Sequence, residues 1–328
     1  MPSEVRWGLL STARIGRSIV RGIGLGAGSR VQAVASREWT RANEFAKELG
    51  IPRAFGSYDE LLQSGEVDAI YNPLPNSMHS EWTIKSLEAG LPVLCEKPFA
   101  VNAAEARTMA DRAQRANLPL AEAFMYRFHP VYDRILELIA EGGLGDLLSI
   151  GAVFCFRLAE RDGNIRTSAE LGGGALMDIG CYCVNLARRL AGCEPVRAFG
   201  CARTTTVDDT FAGLLEFPNG VLADFTCSIE AYNCRRAIIR GTTGTISLED
   251  PWFPGEESAR FMLCRGGDKE TIETAGANCY NLEVDDFARA CRSRTAPRWG
   301  ADDAIANMTA LDALRAAAKC GRAVEVAT

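Results

Sequence analysis

The sequence predicts a doubly wound, parallel α/β domain over residues 1–123, followed by an α+β domain over 124–328 built on a mostly antiparallel sheet. Three observations predict it. Strand and helix signals alternate through the first third, and short β-rich runs punctuated by turn residues fill Val196 to Glu273. The 328 residues also exceed what one hydrophobic core usually holds.

The first third reads in order. Val5 to Leu10 is a strand, Ile15 to Ile23 a helix, Val31 to Ala35 a strand, and Thr40 to Leu49 a helix. Val67 to Tyr71 is the next strand, followed by a helix from about Ser77 to Ala89 and a strand at Pro92 to Cys95. A helix over Ala103 to Ala116 and a strand at Leu118 to Ala123 close the series. Repeated strand–helix–strand units require right-handed crossovers and a parallel sheet covered on both faces.

After Ala123 the texture changes. A helix over Pro130 to Ala140 leads into a strand from Leu147 to Phe156, then a glycine-rich stretch and a helix near Asp178 to Leu190. Strands follow at Phe211 to Phe217, Val221 to Ile229, Arg235 to Arg240 and Thr245 to Leu248. Pro218-Asn219-Gly220 between the first two is a hairpin signal, because Asn and Gly tolerate positive φ. Val284 to Ala318 reads as helical.

Composition narrows the function. Hydrophobic content of 47%, charged content of 24% and a net charge of −6 describe a soluble globular enzyme and argue against a general nucleic-acid binder. No apolar run approaches the ~20 residues of a membrane span. The run into Val5-Arg6-Trp7-Gly8-Leu9-Leu10 lacks the length and cleavage pattern of a signal peptide. The 12 cysteines are scattered, mostly inside apolar runs, with no C-x-x-C pair, and there are only two histidines, His79 and His129. Buried, reduced thiols in a cytoplasmic protein and no metal site are expected.

Lysine is scarce, and Lys97 stands in Glu96-Lys97-Pro98-Phe99, just past an apolar strand. An ammonium can share protons with a neighbouring hydroxyl, as a guanidinium cannot. The carboxyl end of a strand is where an open α/β sheet places its chemistry. The plainer reading is a solvated loop lysine paired with Glu96.

The first strand ends in Ser11-Thr12-Ala13-Arg14-Ile15-Gly16, where a G-x-G-x-x-G turn would stand. Ser11 and Ala13 replace the first two glycines, and small residues still admit a pyrophosphate to the helix N-terminus. The second strand ends in Ser36-Arg37 with Arg41 one turn on, where an NAD-type fold usually carries Asp or Glu. A hydroxyl and guanidinium suit a 2′-phosphate, so NADP is expected over NAD, although Glu38 lies beside them. Pro73, Leu74, Asn76 and His79 follow the next strand in a proline-constrained turn suited to passing beside a cofactor. Asn76 or Ser77 also serves as an ordinary helix cap, and His79 reads as structural rather than catalytic.

Tyr71-Asn72-Pro73-Leu74-Pro75-Asn76-Ser77-Met78-His79, with Glu96-Lys97-Pro98 behind it, resembles the glucose–fructose oxidoreductase/inositol dehydrogenase (Gfo/Idh/MocA) family across essentially the whole chain. Ala123 to Pro130, Asn164-Ile165-Arg166 and Leu171 to Tyr182 are similar to its branch of NADP-dependent D-xylose 1-dehydrogenases and dimeric dihydrodiol dehydrogenases. Many relatives carry histidine where this chain has Tyr182. The resemblance implies a Rossmann domain, a second domain with an open-faced sheet, and a homodimer or homotetramer formed through that sheet.

With that pattern, Tyr182 becomes the candidate proton acceptor for oxidation of a sugar or diol hydroxyl. A free phenol titrates near 10, and a cation within ~4–6 Å lowers a neighbouring acid by ~1–3 units, a charge Lys97 supplies. Asp178, four residues earlier, is expected on the same helix face, holding Lys97 or a second sugar hydroxyl. Glu96 would orient Lys97 or the ribose. Arg127 and Arg166 are candidates for sugar hydroxyls or the cofactor phosphate, or else form surface ion pairs. Each candidate has a structural reading too: Asp178 in a helix first turn, Gly172-Gly173-Gly174 a flexible entry, Tyr182 a half-buried core aromatic, Trp39 simple packing. The expected function is therefore an NADP-dependent dehydrogenase of a cyclic sugar or dihydrodiol. An NAD-dependent glycosidase of the same family and a non-catalytic NADP-binding regulator are the alternatives.

Overall fold

A computed structural model describes residues 4–327. The chain divides into two units, one holding the chain up to Met125 with Asn278–Ile305, the other Tyr126–Ala277 and the chain from Ala306 onward.

In the first unit, β1 (Val5–Leu10), α1 (Gly16–Leu25), β2 (Ser29–Ala35), α2 (Trp39–Leu49), β3 (Arg53–Phe55) and α3 (Tyr58–Gln63) precede the midpoint of the sheet. Then come β4 (Ala69–Asn72), α4 (His79–Glu88), β5 (Val93–Glu96), α5 (Ala103–Ala116) and β6 (Leu120–Ala123). All strand pairs are parallel, in the order β3-β2-β1-β4-β5-β6. The order reverses between β1 and β4, so the crevice at their carboxyl ends is the topological switch point. The strands are apolar on both faces because helices cover both, and Trp7, Leu9, Val34, Tyr71 and Leu94 form the core.

The pair β3 and α3 has no counterpart in the sequence reading. Three residues are too few to show a period. Ser57, however, caps α3 by accepting the N–H of Glu60 at 3.2 Å, a Ser-x-x-Glu signature that was present in the sequence.

The second unit contains α6 (Pro130–Ala140), β7 (Leu147–Cys155), α7 (Cys181–Ala191), β8 (Arg197–Thr204), β9 (Asp208–Glu216) and β10 (Leu222–Ser228). After these run β11 (Cys234–Gly241), β12 (Gly244–Glu249), β13 (Ser258–Arg265) and β14 (Asp268–Ala275). Two helices, α8 (Cys279–Ser293) and α9 (Ala301–Cys320), and the short β15 (Val324–Glu325) end the chain. The sheet order is β14-β13-β12-β11-β7-β10-β9-β8-β15, with only β7 and β10 parallel. Pro218-Asn219-Gly220 joins β9 to β10 as a hairpin, with Gly220 at φ +85°. Burial alternates along β9 and β10, so one face meets a core and the other carries Phe199, Leu214 and Leu222 in the open.

The helical tail is two helices rather than one. Arg294 caps α8 in the left-handed region at φ +52°, and Pro297 lies in the break before α9. Helix α8 belongs to the first unit: Asn281 donates to the carbonyl of Gly22 at 3.1 Å, and Phe287 packs 5.7 Å from the Trp7 ring.

Candidate active site

The candidate residues of the first unit lie along the carboxyl ends of its strands. Ser11 leaves β1 at φ +103°, a conformation that glycine adopts freely and serine rarely does. Its hydroxyl accepts the N–H of Ala13 at 3.2 Å, closing the turn with Thr12 inside it. Helix α1 starts after Arg14 and Ile15 with no side-chain cap; the N–H groups of Gly16, Arg17 and Ser18 donate to the carbonyls of Ala13, Arg14 and Ile15, a tight turn at the positive end of the helix dipole. Gly16 is the surviving glycine of the turn, and a Cβ there would press to 3.3 Å from the Phe45 ring. Its role is close helix–helix packing.

At the end of β2, Ser36 is 7% exposed and its N–H donates to the carbonyl of Phe55. Arg37 is exposed, and its charge works against the burial that raises the Tyr58 phenol. Arg41 pairs with Glu38 at 3.1 Å. The carboxylate that weakened the case for a phosphate is thus turned onto a guanidinium. Trp39 is 57% exposed.

Past β4, Asn72 is wholly buried. Its amide donates to the carbonyl of His79 and to Thr83 Oγ1, and it accepts the N–H of Leu74 beside Pro73. Asn76 opens the short turn before α4. His79 is itself buried, with Nδ1 2.9 Å from the carbonyl of Pro98 and Nε2 2.7 Å from that of Leu74. Burial lowers its pKa to about 4, against the pull of the Pro98 and Leu74 carbonyls and helped by the positive charge of Lys97, so the ring is neutral and donates to one of the two carbonyls at a time.

Glu96 accepts the hydroxyl of Tyr71 at 2.5 Å through one oxygen and the N–H of Lys97 at 3.2 Å through the other. It therefore orients Lys97 through the backbone. Burial, reinforced by Glu96 and Glu283, pushes the Tyr71 phenol well above its ordinary value. Glu122 at the end of β6 accepts the N–H of Phe99 at 2.8 Å and so anchors the segment just beyond Lys97-Pro98. Asn72, Tyr71 and Glu122 were not singled out from the sequence. The available signal was a polar residue at the end of an otherwise apolar strand.

A cavity of about 390 Å³, lined by Val5, Asp68, Leu91, Pro119 and Arg292 among others, lies at the amino ends of these strands. It is on the edge opposite to the candidate residues.

In the second unit, Arg127 is 2% exposed and its carbonyl accepts from the Arg189 guanidinium, which removes its reading as a surface ion-pair residue. Arg166 Nε lies 2.6 Å from Asp178 Oδ2 in a half-exposed pair. Leu176–Gly180 is a turn of π-helix running into α7. The spacing from Asp178 to Tyr182 therefore crosses a π turn rather than running through regular α-helix.

Tyr182 is 6% exposed. Its ring packs against Phe154 at 5.7 Å, Tyr126 at 6.0 Å and Trp252 at 6.2 Å. The hydroxyl of Tyr126 in turn donates to Asn185 at 2.6 Å. An aromatic box fixes the ring plane. Asp208, another residue the sequence did not flag, accepts the N–H of Leu176 at the start of the π turn.

No cluster of ligating side chains suited to a metal ion occurs among the described residues. Among them, too, no helix is long and apolar enough to cross a membrane.

Comparison with known proteins agrees with this layout. Residues 6–124 match the oxidoreductase family with an NAD-binding Rossmann fold, and residues 132–247 match the GFO/IDH/MocA C-terminal domain. The chain is 36% identical to a D-xylose 1-dehydrogenase (NADP(+)) of Haloferax volcanii, over 98% of this chain and 99% of that one. It is 37% identical to the trans-1,2-dihydrobenzene-1,2-diol dehydrogenase of Mus musculus, over 85% and 83%. Among solved structures, KijD10, a 3-ketoreductase from Actinomadura kijaniata in complex with NADP and TDP-benzene, superposes with TM-score 0.91 at 29% identity. That match covers 96% of this chain and 98% of the other. The aldose-aldose oxidoreductase of Caulobacter crescentus gives TM-score 0.91 at 26% identity, over 98% and 99%. With both halves matched and the identity sustained over nearly the full length, the chain belongs to the Gfo/Idh/MocA family of oxidoreductases.

Proposed function

We propose that the protein is an NADP-dependent dehydrogenase acting on a CH–OH group of a cyclic sugar or trans-dihydrodiol. Lys97 carries this reading: a scarce lysine held at the carboxyl end of β5 by a carboxylate that is itself pinned by Tyr71. The relatives named for xylose and dihydrobenzene-diol oxidation support the substrate class.

The residues present fit the cofactor. Ser11, at φ +103°, turns Thr12, Ala13, Arg14 and Ile15 onto the start of a helix with no side-chain cap, which suits a pyrophosphate. Ser36, Arg37 and Arg41 offer a hydroxyl and two guanidinium groups where an NAD site would offer a carboxylate, which suits a 2′-phosphate. When bound, the oxidised nicotinamide supplies the hydride acceptor. Oxidising the alcohol also releases a proton from its oxygen. In this reading Tyr182 accepts that proton and the positive charge of Lys97 favours the phenolate. Asp178, paired with Arg166, presents a carboxylate to a second hydroxyl of the substrate. Arg127, buried, is assigned to substrate binding in the same reading.

The same reading includes a homodimer or homotetramer formed through the open face of the second unit's sheet. Phe199, Leu214, Leu222 and Met262 stand exposed on that unit, which supports a partner there. The cell compartment is cytoplasmic in this reading, supported by 12 cysteines that are all free thiols.

The test is to incubate the purified protein with NADP and a panel of aldoses and trans-dihydrodiols while following reduced-cofactor absorbance. Reduction with at least one member is expected. No reduction with any of them, in protein that binds NADP, would remove the dehydrogenase reading.

A further inference from the structure

The helical segment that carries Asp178 and Tyr182 begins with no cap of its own. The preceding residues are Gly172-Gly173-Gly174-Ala175, none of which has a side chain that accepts a hydrogen bond, and Ala175 makes no side-chain cap. Ser, Thr, Asp or Asn normally fills that place, because the first N–H groups of a helix lack partners.

The missing oxygen comes from the sheet. Asp208, the first residue of β9, accepts the N–H of Leu176 at 2.7 Å through Oδ2. Its other oxygen lies so close to Gly174 that any Cβ there would collide with it. Gly174 stands at φ +114°, where other residues are strained. A glycine that admits the carboxylate and a carboxylate that reaches the helix are independent observations, and both place negative charge at the positive end of the helix dipole.

We propose that Asp208 is a positioning residue for the reaction: as an anion it caps the Leu176–Gly180 turn and thereby sets the orientation of Asp178 and Tyr182. This rests on the assignment of those two residues to the chemistry. The carboxyl of Asp208 is raised by burial from 3.8 to about 6, against the pull of the Leu176 N–H, its own N–H and Arg315. The groups facing it are Arg315 from α9, its neighbour Asp209, and Cys227 from β10. Against its desolvation, hydrogen bonds from Thr205 and then Arg161 hold Asp209 below the usual carboxylate range, and burial holds the Cys227 thiol well above its ordinary value. Asp178 on the turn itself is paired with Arg166. Asp208 is therefore the group of this set that changes charge near pH 6. Below that pH the cap loses its charge, and turnover falls while cofactor binding in the first unit stays.

The test is the pH profile of kcat from pH 5 to 9 at saturating NADP, with D-xylose, or with trans-1,2-dihydrobenzene-1,2-diol if xylose is not turned over. The native enzyme should lose activity through an inflection near pH 6. Asp208→Asn keeps an oxygen for the Leu176 N–H and removes the charge. It should abolish that inflection and lower kcat about tenfold, a change of the size seen when one charged hydrogen bond becomes neutral, while KM for NADP stays within about twofold of native. An unchanged inflection, or native kcat, in Asp208→Asn overturns the proposal. Should that variant not fold, Asp208→Ser keeps a capping oxygen for the Leu176 N–H and removes the titrating group; it must abolish the inflection, and a retained inflection overturns the proposal equally. Tyr182→Phe is measured alongside. An inactive Tyr182→Phe beside a native-like Asp208→Asn sinks the cap alone, whereas full turnover in Tyr182→Phe sinks the tyrosine assignment.

Discussion

Arg166 Nε and Asp178 Oδ2 stand 2.6 Å apart across the glycine loop, joining a short turn at Ile165–Thr167 to the π turn that leads into α7. The Asp178 side chain is the more buried of the two, at 13% exposed against 39% for Arg166. The arginine therefore holds the carboxylate in place. Arg166→Ala should raise KM for the sugar about fivefold, with NADP affinity unchanged; a charge-assisted bond discounted for partial exposure is worth about 1 kcal/mol. Steady-state kinetics in both substrates checks this, and an equal loss for NADP would move Arg166 to the cofactor.

Lys97→Met and Tyr182→Phe each remove one member of the proposed proton relay. Each should lower kcat by about 10²–10⁴-fold, the usual contribution of general acid–base groups. Cofactor binding, followed by fluorescence titration with NADPH, should survive in both. Native turnover in either variant would take that residue out of the mechanism.

Arg37→Ala tests the 2′-phosphate. The variant should bind NADP about 10- to 100-fold more weakly, the loss of one charge-assisted hydrogen bond to phosphate, and should bind NAD as before. Equal losses for both cofactors would place the phosphate elsewhere.

His79 makes a pH-dependent contribution to stability. Its folded pKa of about 4 lies below the ordinary 6.5, so the unfolded chain binds more protons between those values. Stability from this ring is fully present above pH 6.5 and is lost as pH falls toward 4, by roughly 3 kcal/mol in the limit. His79→Gln should flatten the fall in urea midpoint between pH 7 and pH 5, although it lowers the midpoint at pH 7. A fall as steep as that of the native protein would show that another group governs it.

The fold was largely legible in the sequence, since apolar strands buried on both faces and helices of period 3.6 leave strong local signals. Helix α5 spans Ala103–Ala116 as the spacing predicts, with Asn102 capping it through the N–H of Glu105. Signals failed where elements were short, as at β3, or where a break needed one left-handed residue, as at Arg294. Lys97, Ser36 and Arg37 were legible for another reason: each departs in residue type from what its position in a strand–turn–helix unit would otherwise hold. Ser57, Asn72 and Glu122 left weaker traces, because a polar residue beside an apolar run is common.

The sequence by itself determined the alternation of elements, the placement of the nucleotide turn after β1, and the charge that favours a phosphate at the end of β2. Those features are local, set by side chains within a few residues of each other. Tertiary structure alone decided that α8 packs on α1, that Glu122 holds Phe99, and that Asp208 caps a helix 32 residues away. In each of these a buried or partly buried N–H or carbonyl is satisfied by a group remote in the chain. Burial creates that demand only once the chain has folded, so no local pattern announces which residue meets it.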